Sequence, residues 1–323
     1  MEKLKKKNWG KLLQENSALL SLILLLLLAT IFKGEVFLNY KNIINIFLNN
    51  AIIGVIALGM TLVIITGGID LSVGSQIALS GLIAVSVFNA TGSAFIAVVA
   101  AILFGILTSA MCGAISAYCN VPPFIVTLAT MRIFRSLAQY FFTGGGIQVR
   151  GDVDKYLIIS DIKVFGVIPI IIIYWLILTV IVAVFSKKTA VGRHIFAVGS
   201  NEKATMLSGI NTKHVKVAAY AILGGLVGVA AVMESARLGS MNSASSGINY
   251  EMDAIASVVI GGTSMAGGSG KVMGAFIGTL TLGIINNMLN LLGVTPFLIS
   301  AAKGLIILLA VLLQTRLQKL DRD

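Results

Sequence analysis

Apolar residues in this chain run in long blocks rather than in alternation. Two of the blocks read SALLSLILLLLLATIF (17–32) and IPIIIIYWLILTVIVAVF (168–185). A half-buried strand alternates apolar and polar positions, and neither block does so. A hydrocarbon core about 30 Å thick takes roughly 20 apolar residues per helix. Lipid offers backbone groups no partner, so such blocks cross it as helices. Ten blocks are read as crossings, with cores near 17–32, 43–66, 72–89, 94–118, 123–142, 165–186, 215–233, 252–264, 272–292 and 296–314. The chain reads as an all-α polytopic membrane protein, a single transmembrane domain over 1–323.

Two stretches interrupt the pattern. TGGIDLSVGSQ (66–76) places an acid among glycines between apolar flanks, and GGTSMAGGSGK (261–271) is nearly all small or polar. Gly67, Gly68, Gly74 and Ser75 match Gly261, Gly262, Gly268 and Ser269 at an offset of 194 residues. Both an internal repeat and chance among 34 glycines account for that spacing. Paired glycine-interrupted segments point to broken helices beside a transport pathway. Gly67 and Gly68 would break the helix. Asp70 could cap the resumed helix by accepting N–H bonds from Leu71, Ser72 or Val73, or it could belong to a gate. Ser72, Gly74, Gly261, Gly262 and Thr263 join them as pathway candidates, as do Asn286 and Asn287 within the block at 272–292. Gly224 and Gly228, like Gly270, Gly274 and Gly278, recur every four residues and mark faces where helices approach closely.

Composition agrees with a membrane protein. Hydrophobic residues make up 57% and charged residues 11%, against about 25% charged in soluble domains. The net charge of +11 would suit nucleic acid, but its distribution does not, and no nucleic-acid partner is expected. Lys3, Lys5, Lys6, Lys7 and Lys11 sit in the basic segment 1–16. Lys187, Lys188, Arg193, Lys203, Lys213 and Lys216 crowd the loop at 187–214 and its edge. Arg316, Lys319 and Arg322 occupy the tail at 315–323. Such clusters mark cytoplasmic segments, and ten crossings place all three on one side. The loop at 143–164 balances Arg150, Lys155 and Lys163 against Asp152, Asp154 and Asp161, and belongs outside. The basic start followed by an apolar block is read as a first span rather than a cleaved leader.

Chemistry is sparse. There is no phosphate-binding loop for ATP and no Ser–His–acid set. His194 and His214 lie apart in the basic loop, and Cys112 and Cys119 have no metal spacing. No catalytic residue, metal or cofactor is expected. Acids in or beside the blocks are Asp70, Glu234, Glu251 and Asp253. An ion-coupled carrier usually holds more, so the energy should come from a partner. Within the basic loop, SNEKATMLSGI reads as a short helix capped by Ser200 or Asn201, with Glu202 at its positive end and Gly209 ending it. It is either a docking helix or a connector.

GMTLVIITGGIDLSVGS, GRHIFAVGSNEKATMLSGI and YEMDAIASVVIGGTSMAGGSGKVMGAFIGTLTLGIINNMLNLLGV together resemble the permease subunits of bacterial ABC importers for monosaccharides, those for ribose most of all. The resemblance runs from about residue 35 to the C-terminus. It implies ten helices arranged as in the vitamin B12 type of importer permease, and a second copy of the chain completing the pore. It also implies an extracytoplasmic sugar-binding protein and an ATP-binding subunit with two fused nucleotide domains. Gly199, Ser200, Asn201, Glu202, Ala204, Met206, Leu207 and Gly209 would form the coupling contact with that ATPase. The location implied is the bacterial cytoplasmic (inner) membrane, with both termini cytoplasmic and lipid around the bundle. The expected cargo is ribose, or else xylose, arabinose, galactose or autoinducer-2. Branched-chain amino acid permeases are related but usually lack the acid at Asp70. A stand-alone channel or secondary carrier is the rival reading.

Overall fold

Breaks in the apolar blocks organise this bundle as much as the blocks do. A computed structural model describes residues 17–320, so Lys3, Lys5, Lys6, Lys7, Lys11 and Arg322 lie outside the described residues. The helices are α1 (Ser17–Phe37), α2 (Tyr40–Ile65), α3 (Val73–Thr91), α4 (Ala94–Cys119), α5 (Pro123–Phe141), α6 (Val153–Asp161) and α7 (Ile170–Lys188). After them come α8 (Ala190–Ser200), α9 (Glu202–Leu207), α10 (Thr212–Leu238), α11 (Tyr250–Ile260), α12 (Val272–Leu291) and α13 (Pro296–Leu320). Strand β1 (Gly146–Gln148) pairs antiparallel with β4 (Ser240–Asn242), Ile147 facing Met241. Strands β2 (Lys163–Val164) and β3 (Ile168–Pro169) form a small hairpin.

Each of the ten expected segments is helical, but among the described residues seven helices are long and apolar enough to cross a membrane: Ala18–Phe37, α2, α3, α4, α7, α10 and α12. The other three differ for separate reasons. In α5, Arg132 and Arg135 dilute the apolar run. The 11 residues of α11 reach only about 16 Å, half the hydrocarbon core. In α13 the described apolar stretch is Pro296–Ile306. The segment expected at 165–186 starts late, at Ile170, because the β2–β3 hairpin takes its first residues.

The core gathers around α2. From Ala51 to Ile65 this helix is buried on nearly every side, as expected of a helix that is apolar all round. It touches α7, α8, α10, α11 and α12. Trp175 of α7 fills the space over Gly54, against Phe47 and Phe276. The small-residue faces pack as read. Gly224 lies on Gly105 of α4, and a Cβ on Gly228 would sit 2.6 Å from the Ala101 oxygen. Gly274 and Gly278 lie on Gly261 and Ser257. Gly270 is instead in a loop, against Thr263. By contrast α1 exposes Leu20, Leu24, Leu27 and Ile31, an apolar surface suited to lipid.

Candidate functional site

The two glycine-rich interruptions are helix ends of one geometry. At the end of α2 the Gly67 N–H donates to Ile64 O at 2.9 Å and the Gly68 N–H to Val63 O at 3.0 Å. At the end of α11 the Gly262 N–H donates to Val259 O at 2.9 Å and the Thr263 N–H to Val258 O at 3.2 Å. Both are Schellman caps, which need a left-handed residue after the helix. Gly67 (φ 83°) and Gly262 (φ 86°) supply it. Gly67 thus corresponds to Gly262, an offset of 195. The 194-residue match of glycines is one residue out of structural register.

After the first cap the chain is tied to its neighbours. Ile69 O accepts from the Tyr220 hydroxyl at 3.0 Å and from Thr127 Oγ1 at 3.3 Å. Asp70 is fully buried. Its Oδ1 accepts from Ser72 N at 2.8 Å and Ser72 Oγ at 2.6 Å, and its Oδ2 is buried with no partner among the described residues. Asp70 therefore closes an Asx turn onto the residue two ahead. It does not bond Leu71 or Val73, and Ser72 is the N-cap residue of α3.

The second loop reaches outward. The Gly268 N–H donates to Ile65 O at 2.9 Å, and Ser200 Oγ donates to Gly268 O at 3.3 Å. The end of α8 closes the group, since Gly199 presses on Ile65 O with no room for a side chain. One of the carbonyls that α2 leaves unpaired at its end is thus met by the other break, with the tip of α8 beside it. Three stretches singled out separately in the sequence meet at this point. A cavity of about 500 Å³ opens here, lined by Gly67, Gly68, Ser200, Glu202 and Lys216 among others.

The expected short helix is α9. Asn201, rather than Ser200, caps it, accepting from Ala204 N at 3.0 Å. Ser200 ends α8, a second helix in the 187–214 loop that the sequence reading did not anticipate. Gly209 follows α9 at φ 82°. Glu202 pairs with Lys216 at 2.7 Å, fastening α9 to α10. Ala204 and Met206 are exposed, and Leu207 is 85% exposed.

A second polar cavity, of about 360 Å³, lies between α2, α11, α12 and α13. Asn49, Asn50, Asn286 and Asn290 line it, with Asp253 and Lys303 paired at 3.0 Å across its wall. Asn286 and Asn287 sit within continuous helix, not at a break. Asn287 exchanges hydrogen bonds with Asn42 at 3.1 and 2.7 Å.

A family described as the permease component of branched-chain amino acid transport systems matches residues 42–313. The chain belongs to that permease family. Similar full-length proteins include the ribose import permease proteins of Haemophilus influenzae (39% identical over 94% of each chain) and Escherichia coli K12 (38% over 95% of each). That of Bacillus subtilis is 38% identical over 97% of this chain and 96% of its own. No solved structure matches the chain.

In this permease the sequence reading missed three groups. Arg135, inside α5, donates to Ser243 O and Ser246 O, both at 2.9 Å, and to Gly74 O at 3.4 Å. It holds the loop at 243–249 against the start of α3, with Glu234 buried beside Ser246 and Tyr250. Gln76 binds Ser109 at 3.0 Å and also Thr108. Asn49 and Asn50 face Asn286 and Asn290 across the second cavity. A signal existed for the last set: Asn42, Asn45 and Asn49 fall on one helix face, as do Asn286 and Asn290.

Proposed function

We propose that this permease is the membrane subunit of an ABC importer that carries a monosaccharide, ribose first among the candidates, across the bacterial cytoplasmic membrane. The observation that carries the reading is near full-length likeness, at 38–39% identity, to ribose import permeases of three bacteria. Two copies form the pore, each with ten crossing segments in the vitamin B12-type arrangement, and both termini and the α8–α9 hairpin face the cytoplasm. The basic charge of that hairpin supports this orientation. An extracytoplasmic binding protein delivers the sugar. The permease itself is not an enzyme; hydrolysis belongs to a partner ATPase with two fused nucleotide domains.

The mechanism follows from the junction at Ile65. The ATPase docks on α9, with Ala204, Met206 and Leu207 as apolar anchors in its groove. Movement of α9 passes to α8, whose tip bears on the end of α2 and on the 261–271 loop together. The 261–271 loop shifts with the tip of α8, while the first break, tied by Tyr220 and Thr127 at Ile69 and by Ser72 at Asp70, stays fixed with the long helices. Asp70, Ser72 and Gly74, buried behind the first break, and Gly261, Gly262 and Thr263 at the second brace the path. Uptake of labelled ribose, xylose, arabinose and galactose by a deletion strain, with and without this gene, tests the reading. Restored uptake of one sugar is expected; restored uptake of none overturns it.

A further inference from the structure

The cavity between α2, α11, α12 and α13 has a chemistry that packing does not explain. Amide groups inside a membrane bundle are costly unless they are paired or serve a substrate. Asn287 is accounted for by its exchange with Asn42, and Asn49 by Arg237, whose guanidinium donates to Asn49 Oδ1 at 2.6 Å. Asn286 is not, because its Oδ1 is buried with no partner among the described residues. Asn50 spends its Nδ2 on Ile46 O at 2.7 Å. Asn290 is exposed on the same face of α12, four residues on from Asn286.

We propose that this cavity is a binding station on the transport path for one neutral polyhydroxylated solute, held through the carboxamides of Asn50, Asn286 and Asn290. The proposal rests on the function proposed above and names the contacts that the sugar makes on its way. A carboxamide both donates and accepts, and a hydroxyl does the same, so the two match without any charge. The volume of about 360 Å³ lies within the range of small-molecule sites. The two charged side chains among the lining residues cancel: Lys303 Nζ lies 3.0 Å from both Asp253 oxygens. A zwitterionic amino acid would have to open that half-buried pair to gain its own contacts, and splitting such a pair is costly. Ile46, Ile53 and Ile299 complete the wall, an apolar surface for the C–H face of a sugar ring. The site is also well placed. Asn50 and Ile65 stand fifteen residues apart on one helix, about 22 Å, so the station lies near the middle of α2 and the Ile65 junction at its end.

The test uses the permease reconstituted in liposomes with its own ATPase and sugar-binding protein. Uptake of ribose, each deoxy form of ribose and leucine is compared for wild type, Asn286→Ala, Asn286→Ser and Asn290→Ala. Because one binding protein serves every arm, its preferences cancel in the ratios between permeases. Losing one hydrogen bond should slow uptake roughly three- to tenfold. The expected result is that Asn286→Ala slows ribose by that factor. At least one deoxy sugar already slowed in wild type should then lose nothing further in Asn286→Ala. Asn286→Ser should recover part of the rate, at equal yields of assembled complex. The proposal is overturned if the losses from variant and analogue multiply at every hydroxyl, or if Asn286→Ala carries ribose at the wild-type rate. It is overturned equally if all solutes fall alike together with complex yield. A wild type that imports ribose while Asn286→Ala is unaffected removes the station alone. A wild type that imports leucine and no sugar removes the proposed function along with it.

Discussion

The breaks at 66–72 and 261–271 begin with the same cap and then part. The first loop is short, and neighbours or the loop itself hold it: Tyr220 and Thr127 donate to Ile69 O and Ser72 to Asp70 Oδ1, leaving only Asp70 Oδ2 without a partner among the groups named in it. The second is four residues longer. Its left-handed Gly267 and Gly268 swing it onto Ile65 and Ser200. A capped helix end is therefore only half of a break. The loop beyond the cap decides whether the break is held fixed, as at Asp70, or linked to another part, as at Gly268. Under the proposed mechanism, the linked break receives the push from α8 and α9, and the fixed one is what it pushes against.

The largest effect should come from the driving end of that linkage. Ala204→Arg places a charge among the exposed apolar residues of α9. Normal membrane insertion, weakened ATPase co-purification and lost sugar uptake are expected. If Ala204→Arg and Leu207→Asp both keep full uptake and ATPase binding, the hairpin is only a connector.

Next comes a matched pair of glycines. Alanine at Gly262 meets nothing within 4 Å, so it should cost only the left-handed backbone, about 1–2 kcal/mol. At Gly268 the added Cβ would lie 2.9 Å from Ser200 Cα, and overpacking adds about 1–3 kcal/mol. Gly268→Ala should therefore lower both thermal stability and uptake more than Gly262→Ala does. Equal losses would mean that the junction at Ser200 carries no load.

A smaller difference should separate two changes at the fixed break. Asp70→Asn keeps an acceptor for Ser72. Asp70→Leu leaves a buried N–H and a hydroxyl unpaired, about 1–3 kcal/mol for such a loss. Uptake at matched expression should fall less for Asn than for Leu. Complete and equal loss would show that the charge, not the turn, is required.

The smallest effect is expected far from both breaks. Asp152 and Lys155 form an exposed pair at 2.8 Å, and Lys155 holds the Asp152 carboxyl below its ordinary 3.8. The pair's contribution is present above that ordinary value and fades as pH falls through the folded one. In full solvent it is nearly screened out. Asp152→Asn should leave uptake and melting unchanged at neutral pH; a clear loss in either would give this loop a part in the path.

Much of the first break was legible in the sequence. A Gly pair after an apolar run marks a helix end, and the Ser72 N–H is among the donors expected for Asp70, although Asp70 closes a turn on it and Ser72 takes the N-cap position. The α9 cap was legible for the same reason, since Asn201 bonds three residues ahead. The register of the two breaks was not. Counting glycines aligns Gly67 with Gly261, whereas the backbone aligns it with Gly262, because a Schellman cap needs one left-handed residue and a following N–H of any type. Arg135 was also hidden, because its partners are the carbonyls of Ser243 and Ser246, and a carbonyl belongs to every residue.

The sequence by itself determined what is local or additive: helices by apolar length, membrane by composition, caps by residue types two or three apart, and family by extended motifs. The tertiary structure alone decided which distant groups meet. It set Gly268 on Ile65 and Gly199 beside both. It also faced Asn50 towards Asn286 and closed Lys303 onto Asp253, across separations of up to more than 230 residues. The physical reason is that an unpaired carbonyl or amide carries no address. Any donor or acceptor in reach satisfies it, and only the packing of α2 against its neighbours fixes which one is in reach.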